Sequence, residues 1–217
     1  MNNGKHRTDG SLSVSGEGEV KVKPDVAIIE VGVLTTSKSA RAAIADNAER
    51  MTDLVKRIKK MGVPEEDLQT VGFSVSPIIN YDKDSSDYGK VVLYQVENTL
   101  SVRIEPARAG AVLDEAAAGG ANQVRQVTFG LRNDAAQREK AMELAVRAAM
   151  HKAELVTKTM GIALLGPTNI NVSYGGRFFF RAEAMRSDAA AATTPVESGV
   201  LTVSASASIT YAVSSRR

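Results

Sequence analysis

A 27-residue stretch with a single apolar stripe constrains this chain more than any other feature. Between Asp134 and Met160, the residues Met142, Ala145, Val146, Ala149, Ala153, Val156 and Met160 recur at helical spacing. Lys140, Glu143, Arg147, His151, Glu154 and Lys158 fall on the other side, with Glu143–Arg147 and Glu154–Lys158 as favourable i,i+4 pairs. Asn133 or Asp134 supplies the N-cap, and Gly161 ends the helix. One stripe requires one partner surface, which the flanking strand patterns supply. A second such helix is expected over Lys38–Met61, capped by Ser37 or Ser39. Its stripe is Ile44, Ala48, Met51, Leu54, Val55, Ile58 and Met61, and Gly62 stops it. The basic residues Lys56, Arg57, Lys59 and Lys60 in its last turns complement the helix dipole.

Around these helices the period changes to two. Leu12, Val14, Gly16, Gly18, Val20 and Val22 share one parity against Glu17, Glu19, Lys21 and Lys23, as in a half-buried strand approached closely at its glycines. Pro24-Asp25 turns the chain into Val26–Leu34, apolar on both parities as in a central strand, and the two read as a hairpin. Strands follow around Val71, Phe73 and Val75, and again from Val92 to Ile104, on either side of a polar loop at 82–90. A short helix spans 106–119, between Pro106 and Gly119-Gly120, and Val127, Phe129 and Leu131 mark the next strand. After Gly161 come a strand at Ile170, Val172 and Tyr174, an Ala-rich connection from Gly175 to Ser198, and the most regular strand of all. In that last strand Leu201, Val203, Ala205, Ala207, Ile209, Tyr211 and Val213 alternate with small polar residues, and its length makes it the expected edge for pairing between subunits.

The order strand, helix, strand, loop, strand occurs over 26–104 and again over 124–213, and Met61-Gly62-Val63 echoes Met160-Gly161-Ile162. The fold class is therefore α+β: a two-layer sandwich of antiparallel sheet with helices on one face, built as a degenerate βαββ duplication. Residues 1–10 are expected to be a disordered tail, 11–213 the domain and 214–217 a loose end. The candidate halves are 11–105 and 121–213, joined by the helix at 106–119.

Totals exclude several function classes. The 27 basic and 25 acidic residues nearly balance, which argues against nucleic acid as a partner. The chain has no Cys, hence no disulfide, thiolate metal site or thiol catalysis. No stretch approaches the roughly 18 consecutive apolar residues of a spanning helix. Met1–Ser11 is polar and lacks the apolar core of a signal peptide, so export requires a leader removed upstream of Asn2.

The run Val14-Ser15-Gly16-Glu17-Gly18, then Pro24-Asp25-Val26-Ala27, Asn47-Ala48-Glu49-Arg50-Met51, Gly62-Val63 and Asp67-Leu68-Gln69-Thr70 resembles the SIMPL-domain family. The likeness continues through Tyr94-Gln95-Val96 and Leu100-Ser101-Val102 and covers roughly 12–213. That resemblance implies an exported or envelope-associated bacterial protein without established enzymatic activity. It also implies links to stress tolerance and host recognition, and a ring-like homo-oligomer. Location is expected to be periplasmic or exported, with the cytoplasm as the alternative.

No reaction centre emerges. Gly16-Glu17-Gly18 lacks the third glycine and the following helix of a dinucleotide loop. Asp82, Asp84, Ser86 and Asp87 resemble part of a calcium loop, but its sixth and twelfth positions hold Asp87 and Leu93. His6 and His151 are isolated, and Glu65, Glu66 and Asp67 suit a helical first turn. The expectation is a non-enzyme with no cofactor, no metal and no catalytic residue. The candidate interface is Arg177, Phe178, Phe179, Phe180 and Arg181, which gathers three of the five phenylalanines between two arginines. A homo-oligomer is the leading expectation. A ligand- or protein-binding module, chaperone-like or adaptor, is the second.

Overall fold

The computed structural model describes residues 10–175, 180–181 and 194–215. In chain order its elements are β1 (Gly10–Val22), β2 (Val26–Ser37), α1 (Ala40–Lys60), β3 (Leu68–Ile79), β4 (Val91–Ile104), α2 (Ala109–Ala118), β5 (Gln123–Gly130), α3 (Ala135–Met160), β6 (Ile162–Tyr174), β7 (Phe180–Arg181) and β8 (Leu201–Ser215). Helices and antiparallel strands form an α+β architecture with two sheets, one of order β1-β8-β6 and one of order β3-β4-β2-β5-β7. The chain divides into two compact units, one built from β1, α3, β6 and β8 and the other from β2 to β5, α1, α2 and β7.

In the larger unit, β2 pairs with β4 from Ala27↔Ile104 to Ser37↔Tyr94 and with β5 on its other edge. This accounts for its apolar residues on both parities. Ala27, Ile29, Val31 and Val33 meet Leu54 and Ile58 of α1, Val112 of α2 and Phe129 in one core, each under 2% exposed. Burial of each large side chain there contributes about 2 kcal/mol. Ser39 caps α1, its hydroxyl accepting from the Ala42 N–H at 3.5 Å. The buried face of α1 is Ala43, Asn47, Met51, Leu54 and Ile58, so Ile44 and Ala48 of the expected stripe lie outside it. Asn47 is fully buried, and its Nδ2 donates to the carbonyls of Val33 (2.8 Å) and Val96 (3.4 Å).

The smaller unit rests on one contact. α3 lies on β1 and β8 through Ala141, Ala145, Ala149, Ala153 and Thr157, all buried. A Cβ at Gly16 would stand 2.1 Å from the Ala145 carbonyl oxygen, and one at Gly18 would stand 2.0 Å from that of Ala141. Helix and strand backbones therefore approach too closely for any side chain on the strand or for more than a methyl on the helix. That explains why the buried stripe is rotated from the expected one. Val146 and Val156 flank it half-buried, and Met160 is 65% exposed. Glu143 and Arg147 pair at 2.6 Å on the outer side, and Gly161 ends the helix in the left-handed region at φ 66°.

β1 and β2 are not a hairpin. β1 pairs along its whole length with β8, Gly10↔Val213 through Val22↔Leu201, while β2 joins the other sheet. The order strand, helix, strand, strand nevertheless recurs in space. β2, α1, β3 and β4 give the sheet order β3-β4-β2; β1, α3, β6 and β8 give the equivalent order β6-β8-β1. The stretch 121–213 contains β5, which pairs with β2, and the strand that leads α3's own sheet comes from residues 10–22.

Candidate subunit interface

A surface that joins subunits through backbone pairing needs a strand with a free edge. β8 cannot serve, contrary to the expectation drawn from its length and alternation. It is the middle strand of its sheet, hydrogen-bonded to β1 on one side and β6 on the other. Alternation reports one buried face and carries no information about edges.

The long strands at sheet edges are β1, β6 and β3. β1 presents Glu17, Glu19 and Lys21 in alternation, which blunts it against another strand. β6 is interrupted by Pro167 and by register shifts at Leu164/Gly166 and Pro167/Asn169. β3, Leu-Gln-Thr-Val-Gly-Phe-Ser-Val-Ser-Pro-Ile-Ile, carries no charge in twelve residues. Its register against β4 shifts at Thr70/Gly72 and Ile78/Ile79 and is continuous between them, from Gly72↔Thr99 to Ile78↔Leu93, with Pro77 near the end of that span. Val71, Phe73 and Val75 are 47%, 57% and 39% exposed. An edge that is uncharged, apolar and open combines backbone hydrogen-bonding capacity with apolar area to bury. No signal in β3 taken alone separates it from an internal strand.

The other residues singled out from the sequence do not converge. Of Arg177–Arg181, residues 177–179 lie outside the described residues, while the backbones of Phe180 and Arg181 form β7 against Phe129 and Thr128 of β5. His6 also lies outside the described residues. His151 is exposed on the outer side of α3. In the 80–90 loop, Asn80 Oδ1 accepts from the Asp82 N–H, Asp82 Oδ1 from the Asp84 N–H, and Asp87 pairs with Lys90 at 3.0 Å. These acidic groups hold turns in shape. Glu65–Asp67 is a single 3-10 turn after Pro64. Among the described residues no cluster of three His, Asp or Glu is placed to hold a metal ion. No helix among them is long and apolar enough to cross a membrane.

The model of the SIMPL family, "Protein of unknown function (DUF541)", matches residues 12–211. The chain is 35% identical over 156 residues to the 26 kDa periplasmic immunogenic protein of Brucella melitensis, covering 70% of this chain and 62% of that one. It is 27% identical over 154 residues to the uncharacterised protein YggE of Edwardsiella ictaluri, covering 70% and 63%. The matched region thus spans less than two thirds of these relatives' own length. A solved structure of an uncharacterised conserved protein from Listeria innocua aligns over 91% of this chain and 92% of its own at 10% identity. Its TM-score of 0.19 carries no argument.

Proposed function

The chain belongs to the SIMPL family, and on that premise we propose that it is an exported, envelope-associated protein without catalytic activity that works as a homo-oligomer joined through β3. The observation that carries the reading is the uncharged edge of β3, with Val71, Phe73 and Val75 exposed along it. Two such edges pair antiparallel without placing any like charges opposite one another, and pairing buries three apolar side chains per copy. The periplasmic name of the Brucella relative supports export. The reading without catalysis rests on the isolated histidines and the absence of Cys in the sequence.

Light scattering on the purified chain tests this. The wild type is expected to be a discrete multimer. Val75→Lys, which places a charge on the exposed edge, should give a monomer with an unchanged far-UV circular dichroism spectrum. A wild type that is monomeric at every concentration, or a Val75→Lys variant of undiminished mass, would overturn it. A monomer would favour the binding module instead.

A further inference from the structure

On the face of the five-stranded sheet opposite α1, residues of four strands enclose a polar hollow. In β2 the outward residues include Glu30 and Gly32, alternating with the core residues Ile29, Val31 and Val33. Arg125 on β5 pairs with Glu97 on β4, reaching across the intervening β2, where Gly32 has no side chain to obstruct it. Gln126 Nε2 donates to Glu30 Oε1 at 2.8 Å. A cavity of about 260 Å³ remains, lined by Glu30, Glu97, Thr99, Arg125 and the 71–74 stretch of β3.

The floor of this cavity is unusual. Thr99 is only 3% exposed, and its hydroxyl makes no hydrogen bond among the described residues. Its register partners on the two sides are Gly32 and Gly72. A Cβ on either would stand 3.5 or 3.7 Å from Thr99 Oγ1, so both glycines keep the hydroxyl uncovered. The hydroxyl therefore opens into the hollow, with its hydrogen-bonding capacity available to whatever occupies it.

We propose that this hollow binds the ammonium group of a small aliphatic amine. Two carboxylates face it against one guanidinium, and Glu97 already engages that guanidinium. The groups left open are acceptors, Glu30 Oε2 and Thr99 Oγ1, which suit a three-donor ammonium. A divalent metal ion would require several oxygen ligands, and only one carboxylate is free to supply them. Val71 at the rim provides an apolar surface for the alkyl chain, while Phe73, opposite Asn98 in the register, projects to the other face of the sheet. The rim of the hollow shares Val71 with the exposed edge of β3, but Glu30 and Thr99 lie on β2 and β4, inside the sheet, so substitutions there leave that edge unchanged.

Titration calorimetry of the full chain with 1,4-diaminobutane tests it, using Glu30→Gln, Thr99→Val and, as a charge control in the other unit, Glu19→Gln. Saturable binding to the wild type is expected, about tenfold weaker in Glu30→Gln and weakened in Thr99→Val, as for the loss of one hydrogen bond each. Glu19→Gln should bind like the wild type. No saturable heat, equal binding by all four proteins, or equal weakening by Glu19→Gln would overturn the assignment. Because Glu30→Gln retains an oxygen for Gln126 and Thr99→Val retains its shape, each variant can be checked for an unchanged melting curve.

Discussion

Gly16→Ala and Gly18→Ala are the substitutions whose effect follows most directly from the geometry. An ordinary Cβ contact begins at about 3.4 Å, whereas the new methyls would stand 2.1 Å and 2.0 Å from carbonyl oxygens of α3. The shortfall is 3.4 − 2.1 = 1.3 Å at Gly16 and 3.4 − 2.0 = 1.4 Å at Gly18. Both obstacles are backbone atoms of one helix, so no side chain can rotate away and α3 must move outward by about that distance. Lifting α3 thins the contacts of Ala141, Ala145, Ala149 and Ala153 together. A radial gap of about 1 Å already forfeits up to half of a dispersion contact. Overpacking costs about 1–3 kcal/mol where a core adapts, and this rigid contact should reach the top of that range, about 3 kcal/mol. For a chain of this size that corresponds to about 6–12 °C in melting temperature. The double variant should cost much less than the sum, because one displacement of the helix relieves both clashes. Thermal and guanidinium melts followed by circular dichroism read all three proteins. Single variants within about 0.5 kcal/mol of the wild type, or strict additivity in the pair, would show that α3 does not sit on β1 as described.

Two further perturbations probe the larger unit. Asn47→Asp replaces a donor facing the Val33 and Val96 carbonyls with an acceptor at a fully buried position, and should cost about 3 kcal/mol at neutral pH. Burial raises the new carboxyl's pKa in the folded state above its unfolded value of about 3.9. The penalty is thus present above the folded pKa and should shrink as pH falls toward 4, since the protonated acid can donate again. A deficit that stays constant from pH 7 to pH 4 would contradict this. At Gly110 on α2, a Cβ would stand 2.2 Å from the Thr194 carbonyl oxygen, and Asp114 accepts from the Thr194 hydroxyl and N–H at 2.6 and 3.2 Å. Gly110→Ala and Asp114→Ala should each abolish hydrogen-exchange protection of the Thr194 amide; protection retained in both would refute the contact.

Much of the fold could be read from spacing alone. Ser39 and Gly161 bracket helices close to where they were expected, and the parity of Leu201–Val213 matches the alternating burial of β8. Pairing partners could not be read, because β1 meets β8 across nearly the whole chain and no local signal encodes that choice. The rotation of α3 escaped a reading by hydrophobicity, since methionines outrank alanines on any such scale. What selects the alanines is the pair of glycines on the facing strand. β3 was legible as a strand but not as an edge: Phe73 and Val75 stay exposed, and nothing local marks the missing neighbour. Glycine within a strand was the one available signal for the Thr99 hollow, at Gly32 and Gly72.

The ladder between β1 and β8 also dictates an order of events. A chain delivered from its N-terminus completes β2 through β5 and their helices while residues 10–22 wait for a mate not yet synthesised. Until Leu201–Ser215 emerges, the glycine face that receives α3 lacks its neighbouring strand, and β6 has nothing to pair with. The smaller unit is thus the last to close, at a rate governed by a loop of almost full chain length. Loss of the fifteen residues Leu201–Ser215 would leave both β1 and β6 stranded at once.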